Sequence, residues 1–308
     1  MVSRIVIGSR GSKLALVQAQ LVRNQLSLLQ PDCDIALEII KTTGDVKTDP
    51  LAVIGGKGVF TKELEEALLD RRVDVAVHSL KDLPTLVPVG LRLAAICERE
   101  DPHDALVLRK ETRGDFSSLT DLGAGAVVGT SSPRRLAQLK NIRPDLRIND
   151  LRGNVDTRLR KLDEGQYDAL VLAAAGLRRL GLKDRISVVI PTEEMLPAVG
   201  QGAIGIQTRD NDPAIQESVA GLDHKETSAA CRAERALLRE LGGGCQLPIA
   251  AHGTVAELKL TLDGLVASRD GKRIVRDQIS GSIEDSEQLG RELSERLLHA
   301  GARELLDP

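Results

Sequence analysis

Thr130-Ser131-Ser132-Pro133-Arg134-Arg135 places three hydroxyls and two guanidinium groups where an apolar stretch, Val127–Gly129, gives way to a helical one. Ser132 has the chemistry of an N-cap, and Pro133 suits the first helical position, where its missing N–H costs nothing. A helix N-terminus built this way offers free N–H groups and the positive end of a dipole, so it holds anions. Arg152 and Arg158 flank a second strand-to-helix turn, and Arg178 and Arg179 flank a third. From Thr130 to Arg185 there are 13 basic and 7 acidic residues, an excess of +6 within a chain whose net charge is −3. An arbitrary cluster of this kind is more often a solvated face. Here the cations recur at strand-to-helix turns, where parallel α/β folds bind ligands. Arginine predominates over lysine, which suits bidentate recognition of planar carboxylates. The expected ligand carries several carboxylates.

Two other groups have candidate chemistry. His78-Ser79-Leu80-Lys81-Asp82 closes an apolar stretch. An Asp beside a Lys is most often a solvated pair, but at the mouth of a ligand site Asp82 can stabilise a cation or move a proton. His78 reads as a hydrogen-bonded strand-end residue. Gly242-Gly243-Gly244-Cys245 puts a thiol on a flexible glycine turn. A buried free cysteine is one reading; a thiolate favoured by nearby positive charge is the other. Cys231 reads as a packing residue in a helix, and Cys33 and Cys97 show no sign of chemistry. With no C-x-x-C pair and no His at ligand spacing, no metal site is expected. Gly200–Gly205 fits G-x-G-x-x-G, but Pro197 precedes it and a strand follows; Gly55-Gly56-Lys57-Gly58 lacks the rest of a phosphate loop.

The elements that must position these groups alternate from the first residues. Arg4–Ile7, Ile35–Ile40 and Val73–Val77 read as strands. A helix from Ser12 to about Leu29 is expected to bury Leu14, Val17, Leu21 and Leu28, and another spans Thr61–Leu69. Residues 42–57 read as a mobile loop. A second run has strands near Ala105–Leu108, Val127–Gly129, Leu146–Asn149, Ala169–Leu172 and Ser187–Ile190, and Ile204–Thr208 is expected to return to the first lobe. The C-terminal region reads as a helix, Thr227–Leu241, then strands Val255–Leu262, Leu265–Ala267 and Ile274–Ile279, then a helix from Asp285 to about Leu298. The expected fold is α/β: two lobes with a cleft between them and a smaller C-terminal α+β domain. The expected division is 1–98 with 198–220, 99–197, and 221–308.

Composition narrows the function. Apolar residues make up 42% and charged residues 28% of 308, which fits a folded chain. The aromatics are Phe60, Phe116 and Tyr167 alone, too few for base stacking, so no nucleic-acid partner is expected. The start lacks a secretory pattern and the longest apolar stretch, Ala169–Leu177, is too short for a bilayer, so a cytoplasmic chain without a membrane partner is expected.

Taken together, Ile7-Gly-Ser-Arg10-Gly-Ser12-Lys-Leu-Ala-Leu, Gly55-Gly-Lys57-Gly-Val-Phe60, His78-Ser-Leu-Lys81-Asp82-Leu-Pro84, Gly129-Thr130-Ser131-Ser132-Pro-Arg134-Arg135, Leu151-Arg152-Gly-Asn154, Pro197-Ala-Val-Gly-Gln201-Gly202-Ala203 and Gly243-Gly-Cys245-Gln-Leu-Pro248 resemble, in this order, the porphobilinogen deaminase (hydroxymethylbilane synthase) family. The resemblance implies lobes like those of periplasmic solute-binding proteins. It implies a dipyrromethane cofactor, attached to Cys245 by a thioether, on which four porphobilinogen molecules are joined with loss of ammonia before hydrolysis releases the linear tetrapyrrole. By the same matching Asp82 is the catalytic carboxylate. Lys81, Thr130, Ser131, Ser132, Arg134, Arg135 and Gln201 bind the cofactor. Arg10, Ser12, Gln18, Lys57, Phe60, Arg152, Arg158 and Arg179 meet the incoming pyrrole or the growing oligopyrrole chain. A monomer is implied. The rival expectation is a two-lobed solute-binding protein for a polycarboxylated molecule, without catalysis.

Overall fold

The computed structural model describes residues 2–42, 61–112, 116–244 and 246–306. In chain order the elements are β1 (Arg4–Arg10), α1 (Lys13–Leu29), β2 (Asp34–Ile40), α2 (Lys62–Leu69), β3 (Val75–Ser79), β4 (Leu91–Ile96), β5 (Asp104–Leu108), β6 (Val127–Gly129), α3 (Pro133–Ile142), β7 (Arg147–Asn149), α4 (Val155–Asp163), β8 (Ala169–Ala173), α5 (Ala174–Arg179), β9 (Val188–Ile190), β10 (Ile204–Arg209), α6 (Pro213–Ala220), α7 (Lys225–Glu240), β11 (Ile249–Ala256), β12 (Lys259–Ala267), β13 (Ile274–Ser282), α8 (Ser286–Leu297) and α9 (Arg303–Leu306). They form two compact units, Met1–Glu100 with Ala203–Ser228, and Asp101–Gly202 with Ala229–Pro308. No helix among the described residues is long and apolar enough to cross a membrane.

The first unit holds a five-stranded sheet in the order β2-β1-β3-β10-β4. β1 runs parallel to β2 and β3, while β10 lies antiparallel between β3 and β4. Ile204–Arg209 thus pairs with strands of this lobe, as expected. β4 was not anticipated: Leu91-Arg92-Leu93-Ala94-Ala95-Ile96 contains two alanines, poor strand formers, and only pairing with β10 makes it a strand. α1 buries Gln18, Ala19, Val22 and Leu26 rather than the expected stripe; Leu21 is exposed, and Leu28 is 85% exposed. Its leucines surround the helix, so docking on β1 and β3 selects the face, and the selected face carries the small Ala19.

In the second unit β7-β6-β8-β5-β9 repeats that strand order, with β5 as the antiparallel strand. β11-β12-β13 form a separate antiparallel sheet packed against α7 and α8. The expected strand Val255–Leu262 instead crosses a hairpin turn, with φ of 51° at Glu257 and 63° at Leu258. Such turns are normally marked by Asn-Gly or Asp-Gly, and Glu-Leu hides the signal. The expected Leu265–Ala267 strand is the end of the longer β12. α3 packs on this sheet through Ala137, which clusters with Leu196, Ala250, Leu265 and Ala267. Asn141 Nδ2 donates to Gly271 O at 2.9 Å beside it.

Candidate active site

In the first unit the candidate groups stand at the carboxyl ends of β1 and β3. Ser12 caps α1, its Oγ accepting from Ala15 N–H at 3.4 Å, so Arg10 and Ser12 sit at a helix N-terminus. Ser79 Oγ donates to Gln18 Oε1 at 3.0 Å, and Gln18 is buried. Gln18 therefore braces the end of β3 from α1. The next turn is pinned at Leu80, whose side chain is buried and whose N–H donates to Ala203 O at 3.0 Å. Leu83 N–H closes the turn onto Leu80 O at 3.2 Å. With Leu80 turned inward, Lys81 and Asp82 remain half-buried. His78 is buried with Nε2 3.0 Å from Gln207 Oε1, the hydrogen-bonded strand residue its position suggested.

In the second unit Ser132 caps α3, accepting from Arg135 N–H at 3.4 Å, and Pro133 occupies the first turn. Thr130 is buried and its Oγ1 accepts from Ser132 N–H at 3.2 Å. Ser131 Oγ donates to Leu151 O and accepts from Leu151 N–H at 3.0 Å, stitching the end of β6 to the end of β7. The next residues carry Arg152, whose Nε donates to Asp150 Oδ2 at 2.9 Å. Burial alone would raise the Asp150 carboxyl, but Ser131, Arg152 and Arg158 bring it below its ordinary value. Arg158 Nε donates to Gly153 O at 2.7 Å, and Arg179 Nη2 to Gly202 O at 2.7 Å. Arg178 instead pairs with Asp101 at 2.9 Å.

Arg134 and Arg135 converge on one carboxylate that the sequence reading missed. Asp104, at the start of β5, is 0% exposed, and the two arginines are 4% and 6% exposed. Arg134 Nη1 reaches Asp104 Oδ2 at 2.7 Å and Leu196 O at 2.8 Å. Arg135 reaches Asp104 Oδ1 through Nε at 3.0 Å and Nη2 at 2.7 Å, and Val171 O through Nη1 at 3.0 Å. Gln201 Nε2 adds a bond to Asp104 Oδ1 at 2.9 Å and another to Pro102 O at 2.7 Å. Burial would raise the Asp104 carboxyl, but the two guanidiniums overcome it and hold it far below the carboxylate range. Arg134 Nε is buried without a hydrogen-bond partner among the described residues. Asp104 escaped notice because it follows the charged run Glu98–Pro102; the available signal was an Asp leading an otherwise apolar, fully buried strand.

Lys57, Phe60 and Cys245 lie outside the described residues. The turn leading to Cys245 is built rather than merely flexible. Gly242 has φ of +66°, and a Cβ at Gly243 would come within 2.4 Å of Leu238 Cδ1. The N–H groups of Gly242 and Gly243 close the end of α7 onto Arg239 O and Leu238 O, at 3.0 and 2.9 Å.

Comparison with known proteins supplies the family. Residues 5–217 match the family model described as porphobilinogen deaminase, dipyromethane cofactor binding domain. Residues 228–299 match that described as porphobilinogen deaminase, C-terminal domain. The porphobilinogen deaminase of Pelobacter propionicus is 52% identical over 302 residues, spanning 98% of this chain and 96% of that one. That of Synechococcus elongatus is 54% identical over 304 residues, spanning 98% and 94%. Among solved structures, the periplasmic aliphatic sulphonate binding protein SsuA from Escherichia coli is 14% identical, with a TM-score of 0.43 over 78% of this chain and 70% of that one. At such a distance SsuA adds nothing to the assignment, which rests on the two domain matches and the relatives above half identity. The chain belongs to the porphobilinogen deaminase family.

Proposed function

We infer that this protein is a hydroxymethylbilane synthase, a transferase of tetrapyrrole biosynthesis that joins four porphobilinogen molecules head to tail, releases ammonia and frees the product by hydrolysis. Family membership over nearly the whole chain supports the reaction class and disfavours a solute-binding protein without chemistry. The observation that carries the reading within the site is the Arg134–Asp104–Arg135 cluster. Two guanidiniums share one carboxylate, so a buried excess of positive charge remains. A buried cation without full compensation is costly, and a ligand carboxylate offsets that cost. Arg134 Nε supplies a donor for it.

A dipyrromethane bearing acetate and propionate groups fits this donor set. Thr130, Ser131, Ser132 and Arg134 would hold its carboxylates at the α3 N-terminus, together with Lys81; Arg135 and Gln201 would act by holding Asp104. Cys245 would bind it through a thioether. When bound, this group supplies a tethered pyrrole end for extension. Asp82 accepts pyrrole N–H bonds, stabilises the positive charge that develops as ammonia leaves porphobilinogen, and relays protons. Arg10, Ser12, Arg152, Arg158 and Arg179 hold carboxylates of the incoming pyrrole or the growing chain, and Gln18 acts by bracing Ser79. Lys57 and Phe60 contact the incoming ring. Residues 221–308 act as the domain presenting the cysteine, and the protein works as a cytoplasmic monomer.

Intact-mass measurement tests the tether. Purified protein should exceed its sequence mass by two linked pyrrole units, and Cys245→Ser should lack the increment. Turnover of porphobilinogen by a protein of unmodified mass would refute the covalent role of Cys245.

A further inference from the structure

Glu234, in the middle of α7, is 0% exposed and belongs to none of the groups above. Its Oε2 accepts from Gly200 N–H at 2.7 Å, and its Oε1 accepts from Gly253 N–H at 2.8 Å. A carboxylate can accept both bonds, whereas a carboxamide would turn its own N–H groups toward one of the two backbone donors.

The turn it grips is attached to the anion-binding machinery. Gly200 and Gly202 both have positive φ, +70° and +90°, and between them stands Gln201. From this turn Gln201 Nε2 reaches Asp104 Oδ1 at 2.9 Å, and Gly202 O receives Arg179 Nη2 at 2.7 Å. A displacement of the turn would thus reach both the Asp104 cluster and Arg179. The other grip, Gly253 in β11, lies where a Cβ would come within 2.9 Å of Ala230 Cα, so α7 packs directly against the backbone of that strand. Farther along the same helix, the Gly242–Gly243 turn leads toward Cys245. Six residues of helix, about 9 Å, separate Glu234 from Glu240 at its end.

We propose that Glu234 is a positioning residue. It locks the helix leading to the cysteine turn onto the Gly200–Gly202 turn, and so sets the spacing between the cofactor's attachment point and the groups that hold its carboxylates. The proposal rests on the function inferred above, through the cofactor alone.

The test uses full-length protein prepared without cofactor and then supplied with porphobilinogen, with cofactor acquisition followed by intact mass. Glu234→Gln should keep the wild-type circular dichroism and the wild-type rate of Cys245 alkylation by iodoacetamide. Its cofactor acquisition should slow at least tenfold, and hydrogen exchange across Gly200–Gly202 should speed up by a similar factor. Glu234→Asp, one methylene shorter, keeps the charge and should fall between the two; it decides the matter should Glu234→Gln fail to fold. Glu234→Gln combined with Gln201→Leu should load no more slowly than the slower single variant, because both act through one turn. Loading at the wild-type rate in the Glu234 variants, or a double variant slowed by the product of the two single effects, would overturn the proposal. Lower thermal stability with normal loading would overturn it as well, leaving Glu234 a structural residue only. Should wild-type protein itself acquire no two-pyrrole increment, the inferred function falls instead, and unchanged exchange at Gly200–Gly202 in Glu234→Gln would separately remove Glu234 from its role.

Discussion

The carboxyl ends of β1 and β3 in one unit, and of β6 and β8 in the other, occupy corresponding places in sheets of the same strand order. They are held differently. In the first unit neutral bonds brace the end of β3: Ser79 to Gln18, and Leu80 N–H to Ala203 O. In the second unit ion pairs join the neutral Ser131–Leu151 bonds: Asp104, opposite the end of β8, lies between two guanidiniums, and Asp150 stands on Arg152. The difference follows from what each end presents. One presents Lys81 and Asp82, both half-buried, on a pinned turn. The other concentrates arginines, which repel one another unless acids space and orient them. A shared topology provides the place, and the electrostatics of the side chains decide its use.

The comparison breaks most sharply at Asp82. Asp82→Ala should lower kcat by at least 10²-fold, the range for loss of a positioned acid–base group, with circular dichroism unchanged. Wild-type turnover would remove Asp82 from the chemistry and leave the first unit without a reactive group.

Asp104→Asn attacks the charged counterpart. Removing one partner of a buried ion pair costs about 3–5 kcal/mol, so denaturant unfolding should show a loss of that order, partly restored once cofactor carboxylates bind. The pH dependence has a definite sign. The folded Asp104 carboxyl lies below its unfolded value of about 3.9, so its contribution is fully present above that pH and is lost as pH falls toward the folded value. The wild-type advantage over Asp104→Asn should therefore shrink only below about pH 4. An advantage that is constant through that range would mean that the ion cluster does not stabilise the fold.

Arg152→Leu should leave stability within about 0.5 kcal/mol, since the Arg152–Asp150 pair is partly exposed. It should stall cofactor assembly or chain extension, and native gels or mass spectra should show altered intermediates. The smallest effects concern the strand-end hydroxyls. Ser79→Ala and Ser131→Ala should each cost about 1 kcal/mol of unfolding free energy. Ser131→Ala should be the larger, because its hydroxyl both donates to and accepts from Leu151.

Much of this was legible in the residues. Ser132-Pro133 announced the start of α3, and the alternation of apolar runs with helical stretches announced two α/β sheets, because capping chemistry and periodicity act within a few residues. The site was legible only in part. Arg134 and Arg135 read as ligand-facing cations, but the carboxylate that both guanidiniums bond, Asp104, lies about 30 residues away in the chain and left no local sign beside them. Gln18 read as a substrate contact, and its bond from Ser79 was not legible. Nothing local to α1 showed which of its leucines faces the core, or that Glu257-Leu258 would turn a hairpin.

By itself the sequence determined the local grammar of this protein: where helices begin, which stretches must be buried, where cations gather, and the motifs that mark its family. Tertiary structure alone decided which partner each charged group takes. Asp104, Gln201 and Glu234 acquire their roles from atoms that lie 19 to 99 residues away. Propensity and capping act between neighbours in sequence. Ion pairing and burial act between neighbours in space, and only the folded chain makes those neighbours.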